Sequence, residues 1–458
     1  MLVGVISIIV LCVALWTSRR DRSEPHAPTT SVGHLEAHLA LAAVCVLAAG
    51  PALALAPWIG GIEPAAFGDD VTHARVAQDL AMGGLLRGWS DSYLGGFPIA
   101  VHYPPLGTLA AAALIALGAP AMGSVHLLGA LGTAIAPPLC FVALRPHVRA
   151  LHALTGALFV AWLAPPNAFV GGLDAFFGLG LLSQALAVPL CVLAASGVAH
   201  APHLRAGCLA ALLAVLTHPQ LCAAMLVLGA VAVAASGSEA AALRYARTAG
   251  AAVILGVAVY GPGVATLQIP FGWPPGFGWR HLGFEPGSLF EWAIGGVLLD
   301  RGRLPVCTAL LTAALVTLTL LGRDARARAV VAGLLSCAAI SVSGRWLSTT
   351  GPGGALLLEI LQPLRSLACM PFAAGAAVAL ALELGAARIA AVLEPRWRSA
   401  FLWSLPSACL LLLLAVALPD RALYVAVTRD ELAARTHAPC GPQTPGGYDR
   451  ETAHAWMR

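Results

Sequence analysis

The chain has 458 residues, 59% of them hydrophobic and only 10% charged, with a mean hydropathy of +0.82. That composition excludes an ordinary soluble domain. The formal charge of +4 is small, carried on the basic side by Arg alone and spread over many loops, which gives no reason to expect a nucleic-acid partner. Apolar runs near the roughly 20 residues of a membrane-spanning helix recur along the whole sequence and are continuous and rich in Ala and Leu, unlike the alternating strands of an outer-membrane barrel.

Leu2–Trp16 opens the chain as a short anchor with no basic region before it and Arg19, Arg20 and Arg22 after it, so it does not read as a cleavable signal. The excess of basic residues in cytoplasmic loops orients the rest. Ala37–Trp58 crosses outward and delivers the polar stretch Gly68-Asp69-Asp70-Val71-Thr72-His73 to the external face. Arg145 and Arg149 belong inside, so only one of the next two apolar runs, Leu106–Ala121 and Val125–Leu144, crosses fully. The first, opened by Pro104-Pro105, is the partial or interfacial one. Crossings then alternate through Leu151–Ala164, the run to Val198, Arg205–Thr217, Leu221–Ala235, Thr248–Leu267, Leu304–Leu321, Ala329–Ser343, Ser366–Leu384 and Phe401–Leu418. The reading is an all-α polytopic bundle of about twelve transmembrane helices, with external loop helices and both termini outside. Residues 1–36 form an extra anchor and cytoplasmic loop and 37–418 the transmembrane domain, with external loops 59–104 and 268–303. Residues 419–458 form an external tail.

Ten of the eleven Cys lie in apolar runs, where they act as small hydrophobes, and no zinc-type Cys/His spacing is present. The acidic residues Glu63, Asp69, Asp70, Asp79, Asp91, Asp174, Glu285, Glu291, Asp300 and Glu359 fall on the external side of this topology and suggest an acidic external cavity. Apart from Gln184, the spans read as clean.

Asp70 precedes a helical pattern over Val71–Leu86 and suits an N-cap. If the helix starts one residue earlier, Asp69 and His73 stand one turn apart on one face. The carboxylate pair and the imidazole could hold a divalent cation such as Mg or Mn, or one carboxylate could serve as a general base. Asp174, after Pro165-Pro166-Asn167, reads as a helix cap or a supporting ligand. Gln184 reads as a hydrogen-bonding contact between helices. His218 heads a turn closed by Pro219 and reads as a solvated residue. Arg365 enters a long apolar run, where a guanidinium costs roughly 2.5–3.5 kcal/mol unless it snorkels or pairs; it also fits a phosphate held bidentately. The aromatic-rich loop Gln268–Arg303 reads as an interfacial belt or a substrate-covering lid.

Together Gly68-Asp69-Asp70, His73, Gly96-Phe97-Pro98, Tyr103-Pro104-Pro105-Leu106, Leu216-Thr217-His218-Pro219 and Gln362-Pro363-Leu364-Arg365 resemble the motifs of bacterial GT-C membrane glycosyltransferases. They are closest to the integral-membrane family labelled 6-pyruvoyl-tetrahydropterin synthase-related. The chain departs from that pattern at Gln184, where a Glu is expected, and at Ser366-Leu367, where an aromatic is more usual. The resemblance implies a GT-C-like bundle in the inner (cytoplasmic) membrane, embedded among membrane lipids, with its active face periplasmic, and in its light Asp449–Arg458 looks like the opening helix of a truncated external domain. The implied activity is transfer of a sugar from a polyprenyl-phosphate-linked donor to an external acceptor. Asp69 or Asp70 would be catalytic, and Asp69, His73 and Asp174 would hold any metal. Arg365, His218 and Tyr103 would bind substrate. A lipid or lipid-linked-sugar flippase, and a non-catalytic protein of the same fold, are the alternatives.

Overall fold

The computed structural model describes residues 31–54, 69–83, 89–90, 97–98, 104–162, 176, 181–266, 285–300, 305–350, 354, 357–358 and 361–437. In chain order the helices are α1 (Ser31–Ala54), α2 (Asp69–Gly83), α3 (Pro105–Ala116), α4 (Ala121–Leu144), α5 (Ala150–Trp162), α6 (Leu182–Ala199), α7 (Leu204–Thr217), α8 (Pro219–Ser236) and α9 (Glu239–Thr266). They continue as α10 (Pro286–Ile294), α11 (Val297–Asp300), α12 (Val306–Leu320), α13 (Ala325–Val342), α14 (Gly344–Ser348), α15 (Pro363–Ser366), α16 (Met370–Val392) and the 43-residue α17 (Pro395–His437). Between α2 and α3 a two-residue antiparallel ladder, β1 (Trp89–Ser90) with β2 (Phe97–Pro98), is the small exception to an all-helical chain among the described residues.

Seven helical stretches among the described residues are long and apolar enough to cross a bilayer: α4, α6, α8, Glu239–Gly261, α13, Leu367–Val392 and Pro395–Val416. The protein is therefore an all-α, multi-pass membrane protein. These seven, counted among the described residues, leave the expected count of about twelve crossings unconfirmed. The runs expected to cross at Arg205–Thr217 and Leu304–Leu321 form helices of 14 and 15 residues, roughly 21–23 Å at 1.5 Å per residue against a hydrocarbon core of roughly 30 Å. Those at Ala37–Trp58 and Leu151–Ala164 form α1 and α5 and run past the described residues. Of the pair α3 and α4, the 12-residue α3 is the short one and the 24-residue α4 has spanning length. The Leu2–Trp16 anchor lies outside the described residues.

Local chemistry sets the helix ends. Asp324 caps α13 by accepting from the Arg326 and Ala327 amides, and Asp300 closes the start of α12 by accepting from Cys307 N, Thr308 N and Thr308 Oγ1 at 2.8–2.9 Å. Asp300, Asp70 and Asp79 are thus engaged within the protein, and those three do not line the open acidic cavity that the sequence suggested.

Small residues set the packing, as is usual where lipid is as apolar as the helices. A Cβ added to Gly197 of α6 would stand 2.7 Å from Gly207 Cα of α7, and one on Gly375 of α16 would stand 2.6 Å from the Gly156 carbonyl of α5. A large buried cluster joins α1, α4, α5, α12, α13 and α16. A second joins α2, α3, the first half of α4 and the start of α6. Outside these, Ile254 and Val257 of α9 and Leu411 of α17 are exposed apolar side chains on faces suited to lipid.

The helix ends sort into two groups. Arg326 Nη1 donates to the His147 carbonyl, Arg328 Nε to that of Ala235 and Arg244 Nε to that of Val198, so the arginine-bearing turns meet at one end of the bundle. Asp70 pairs with His126, 19 positions before Arg145 on the axis of α4, which puts the two roughly 28 Å apart. The polar stretch and the arginine turns therefore occupy opposite ends.

Candidate functional site

Helix α2 begins at Asp69, not after Asp70, so Asp69 and His73 stand one turn apart on one helix. Asp70, His73, Ala74, Ala77 and Leu80 follow one another along a single buried stripe of α2, packed on α3 and α4. The expected role of Asp70 as an N-cap is corrected. Its carboxylate is turned into the bundle, with Oδ2 3.5 Å from His126 Nε2 of α4 and both side chains 1% exposed. Its Oδ1 accepts from the Val71 amide at 2.9 Å. The His126 ring meets Phe176 edge-on at 6.3 Å.

His126 escaped the sequence reading. So did His152 and Glu383, which contradict the expectation that the spans are clean apart from Gln184. Glu383 of α16 accepts from the Arg149 amide at 2.8 Å and from Arg149 Nε at 3.1 Å, and its Oε2 lies 2.7 Å from His152 Nδ1 of α5. The signal was in the sequence: an ionisable residue inside an apolar run is costly unless it has a partner. Gln184 is buried as expected, in the first turn of α6.

His218 is buried, which corrects the solvated reading, and it caps α8 by accepting from the Leu221 amide through Nδ1 at 3.2 Å. Pro219 fills the first helical position, where a missing N–H costs nothing. The other ring nitrogen, Nε2, lies 3.2 Å from Arg365 Nη1. Burial first and the Arg365 charge second hold the His218 imidazole well below its usual range. A neutral imidazole has a single acceptor nitrogen. Both neighbours, the Leu221 amide and the Arg365 guanidinium, are donors, so the neutral ring accepts from one of them at a time, set by its tautomer. His73 completes the group: it is buried, and its charge also acts to lower the His218 pKa.

The turn that carries Arg365 is held in place with care. Gln362 adopts φ 40°, a left-handed conformation uncommon outside Gly, directly before Pro363. Ser366 Oγ donates to the Pro363 carbonyl at 2.6 Å and lies 3.2 Å from Ser341 Oγ of α13, while the Ser366 carbonyl accepts from Cys337 Sγ at 3.3 Å. Leu367 is fully buried. The Ser366-Leu367 departure from the family pattern thus bolts this turn to α13.

Asp70, His73, His218 and Arg365 therefore gather at the end of the bundle opposite the arginine turns. The Asp69 side chain, Tyr103 and Asp174 lie outside the described residues. Among the described residues no three His, Cys, Asp or Glu side chains are placed to hold a metal ion.

No family model matches the chain, and no curated protein matches it. Among solved structures, the crystal structure of the Archaeoglobus fulgidus oligosaccharyltransferase, in complex with Zn and sulfate, is similar at 16% sequence identity with a TM-score of 0.40. The match covers 84% of this chain and 53% of that one, so the chain spans about half the length of the protein it resembles.

Proposed function

We propose that the protein is a membrane glycosyltransferase that moves a sugar from a polyprenyl-phosphate donor to an acceptor hydroxyl. The reaction would take place at the bundle end carrying Asp70, His218 and Arg365. The observation that carries the reading is the Arg365 guanidinium held 3.2 Å from the buried His218 imidazole, with Nη1 against Nε2. An anionic phosphate oxygen lying beside the pair would accept from the guanidinium and, in the tautomer with hydrogen on Nε2, from the imidazole as well. In transfer, the bond between the sugar carbon and the phosphate oxygen breaks, and Arg365 and His218 stabilise the charge left on the phosphate. The acceptor oxygen forms the new bond to that carbon and gives its proton to a carboxylate.

That carboxylate is assigned to Asp69, because the Asp70 carboxylate is sealed against His126. Asp70 then positions the start of α2. His73, one turn after Asp69, supports the site, with Tyr103 and Asp174 as further substrate-side residues. A divalent metal would add charge neutralisation at the leaving phosphate; Asp69, His73 and Asp174 are the residues to hold it. The arginine turns make their end cytoplasmic under the positive-inside rule, which faces the site outward across the inner membrane.

The test is sugar transfer by purified protein in vesicles supplied with polyprenyl-phosphate sugars. Asp69→Asn and Arg365→Ala are expected to lower turnover at least a hundredfold with the protein still folded. Normal transfer by both variants would sink the reading. The buried ionisable residues favour lipid-linked-sugar transport as a second reading, since such groups mark ion-coupled carriers. Donor translocation without transfer, lost in Asp70→Asn, would select it.

A further inference from the structure

At the arginine-bearing end, the turn Arg145-Pro146-His147 between α4 and α5 has a feature that helix capping leaves unexplained. The buried Arg145 Nε and His147 Nε2 have no hydrogen-bond partner among the described residues. A buried polar nitrogen without a partner is costly, and such an orphan in a folded protein calls for a ligand, ion or water. Around that turn three other segments bring cations and imidazoles. His200, just past α6, meets the His147 ring edge-on at 6.1 Å, and His203 meets His200 at 4.8 Å. Arg326, at the start of α13, donates to the His147 carbonyl at 3.2 Å. Arg244 of α9 donates to the carbonyls of Val198 and Ala199 at the end of α6.

Burial first, and then the charges of His200, Arg326 and Arg244, push the His147 pKa down to about 4. Two acids lie near these groups: Asp324, engaged by Arg326 at 2.9 Å, and Glu383, which is held by Arg149 and His152 and whose charge also reaches Arg326. Capping of helix carbonyls accounts for Arg244 and Arg326. It does not account for the nitrogens of Arg145 and His147.

We propose that this notch, framed by Arg145, His147, Arg244 and Arg326, binds the phosphate of an anionic phospholipid from the leaflet at the arginine-bearing end. Charge complementarity selects an anion. The notch sits at the ends of membrane-length helices, where headgroup phosphates are the abundant anions, and basic recesses between helices are suited to them. The site lies at the end of the bundle opposite Asp70, roughly 28 Å from His126 along α4, and does not depend on the glycosyltransferase reading.

The test is retention of lipid by the purified full chain, read by mass spectrometry after exchange into mixed phosphatidylglycerol and phosphatidylcholine vesicles. Wild-type protein is expected to keep phosphatidylglycerol over phosphatidylcholine, and Arg145→Gln and His147→Ala to lower that preference about tenfold, with folding checked by size-exclusion profile. Arg145→Gln keeps the test alive if the histidine variant does not fold. No preference in the wild type, or an unchanged preference in both variants, would overturn the proposal. A thermal shift with inorganic phosphate that equals the shift with phosphatidylglycerol would overturn the lipid as its source.

Discussion

Glu383 ties together helices through which a single substitution should be felt. Its carboxylate joins two helices far apart in sequence, α5 and α16, through the Arg149 amide, Arg149 Nε and His152 Nδ1 at 2.8, 3.1 and 2.7 Å. His152 is 1% exposed and Glu383 19%, while the Arg149 side chain is 42% exposed. Replacing Glu383 by Ala strands a buried imidazole nitrogen and the Arg149 amide just before α5, at about 1–3 kcal/mol each, and the exposed arginine contact adds about 0–1 kcal/mol. The sum is about 2–5 kcal/mol after allowing for water entering the gap. Glu383→Gln retains an acceptor oxygen and is expected to lose about half of this. The measurement is the apparent melting temperature of purified protein in detergent, read by exposure of the buried cysteines to a thiol-reactive dye. A fall of roughly 5 °C or more is expected for the alanine variant and a smaller one for the glutamine variant. An alanine variant that melts with the wild type would show that the α5–α16 contact is held by its glycines alone.

Three other outcomes follow from the geometry. Gly375→Ala drives a methyl to 2.6 Å from the Gly156 carbonyl and is expected to cost about 1–3 kcal/mol, read by the same melting assay. Gln362→Gly removes about 1 kcal/mol of left-handed backbone strain, so stability holds or rises while donor binding weakens as the Arg365 turn loosens; a donor titration in vesicles checks this. The His147 imidazole has a folded pKa near 4 against about 6.5 unfolded, so between those values the unfolded chain binds the proton more readily. Its contribution to stability is complete above pH 6.5 and is lost as pH falls toward 4. His147→Ala should flatten that part of a melting-temperature profile against pH.

What the sequence could show follows from what repeats locally. Apolar runs and arginine turns specify long helices and which ends face alike, and both are seen in α4, α6, α8, α13 and α16. The alternative in which α2 starts at Asp69 was also legible, because three- and four-residue spacings are a property of the segment itself. The partners were not. His152 and Glu383 are 231 positions apart, and His218 and Arg365 are 147 apart. A lone histidine or glutamate in an apolar run averages away in any hydropathy reading, and its cost is met only by a residue the window never includes. The same blindness made His218 look solvated and Ser366-Leu367 look like a loss, when burial and the contact with Ser341 give both a structural task.

Helix α17 has a mechanical consequence. Its apolar stretch, Pro395–Val416, has 22 residues and uses up the thickness of a bilayer, yet the helix continues to His437. The remaining 21 residues rise roughly 30 Å beyond the hydrocarbon as a mast. Pro419 stands at the foot of that mast, and without an N–H it gives nothing to the carbonyl of Ala415. The missing hydrogen bond makes Pro419 the point at which a bend costs the upper part of this helix least.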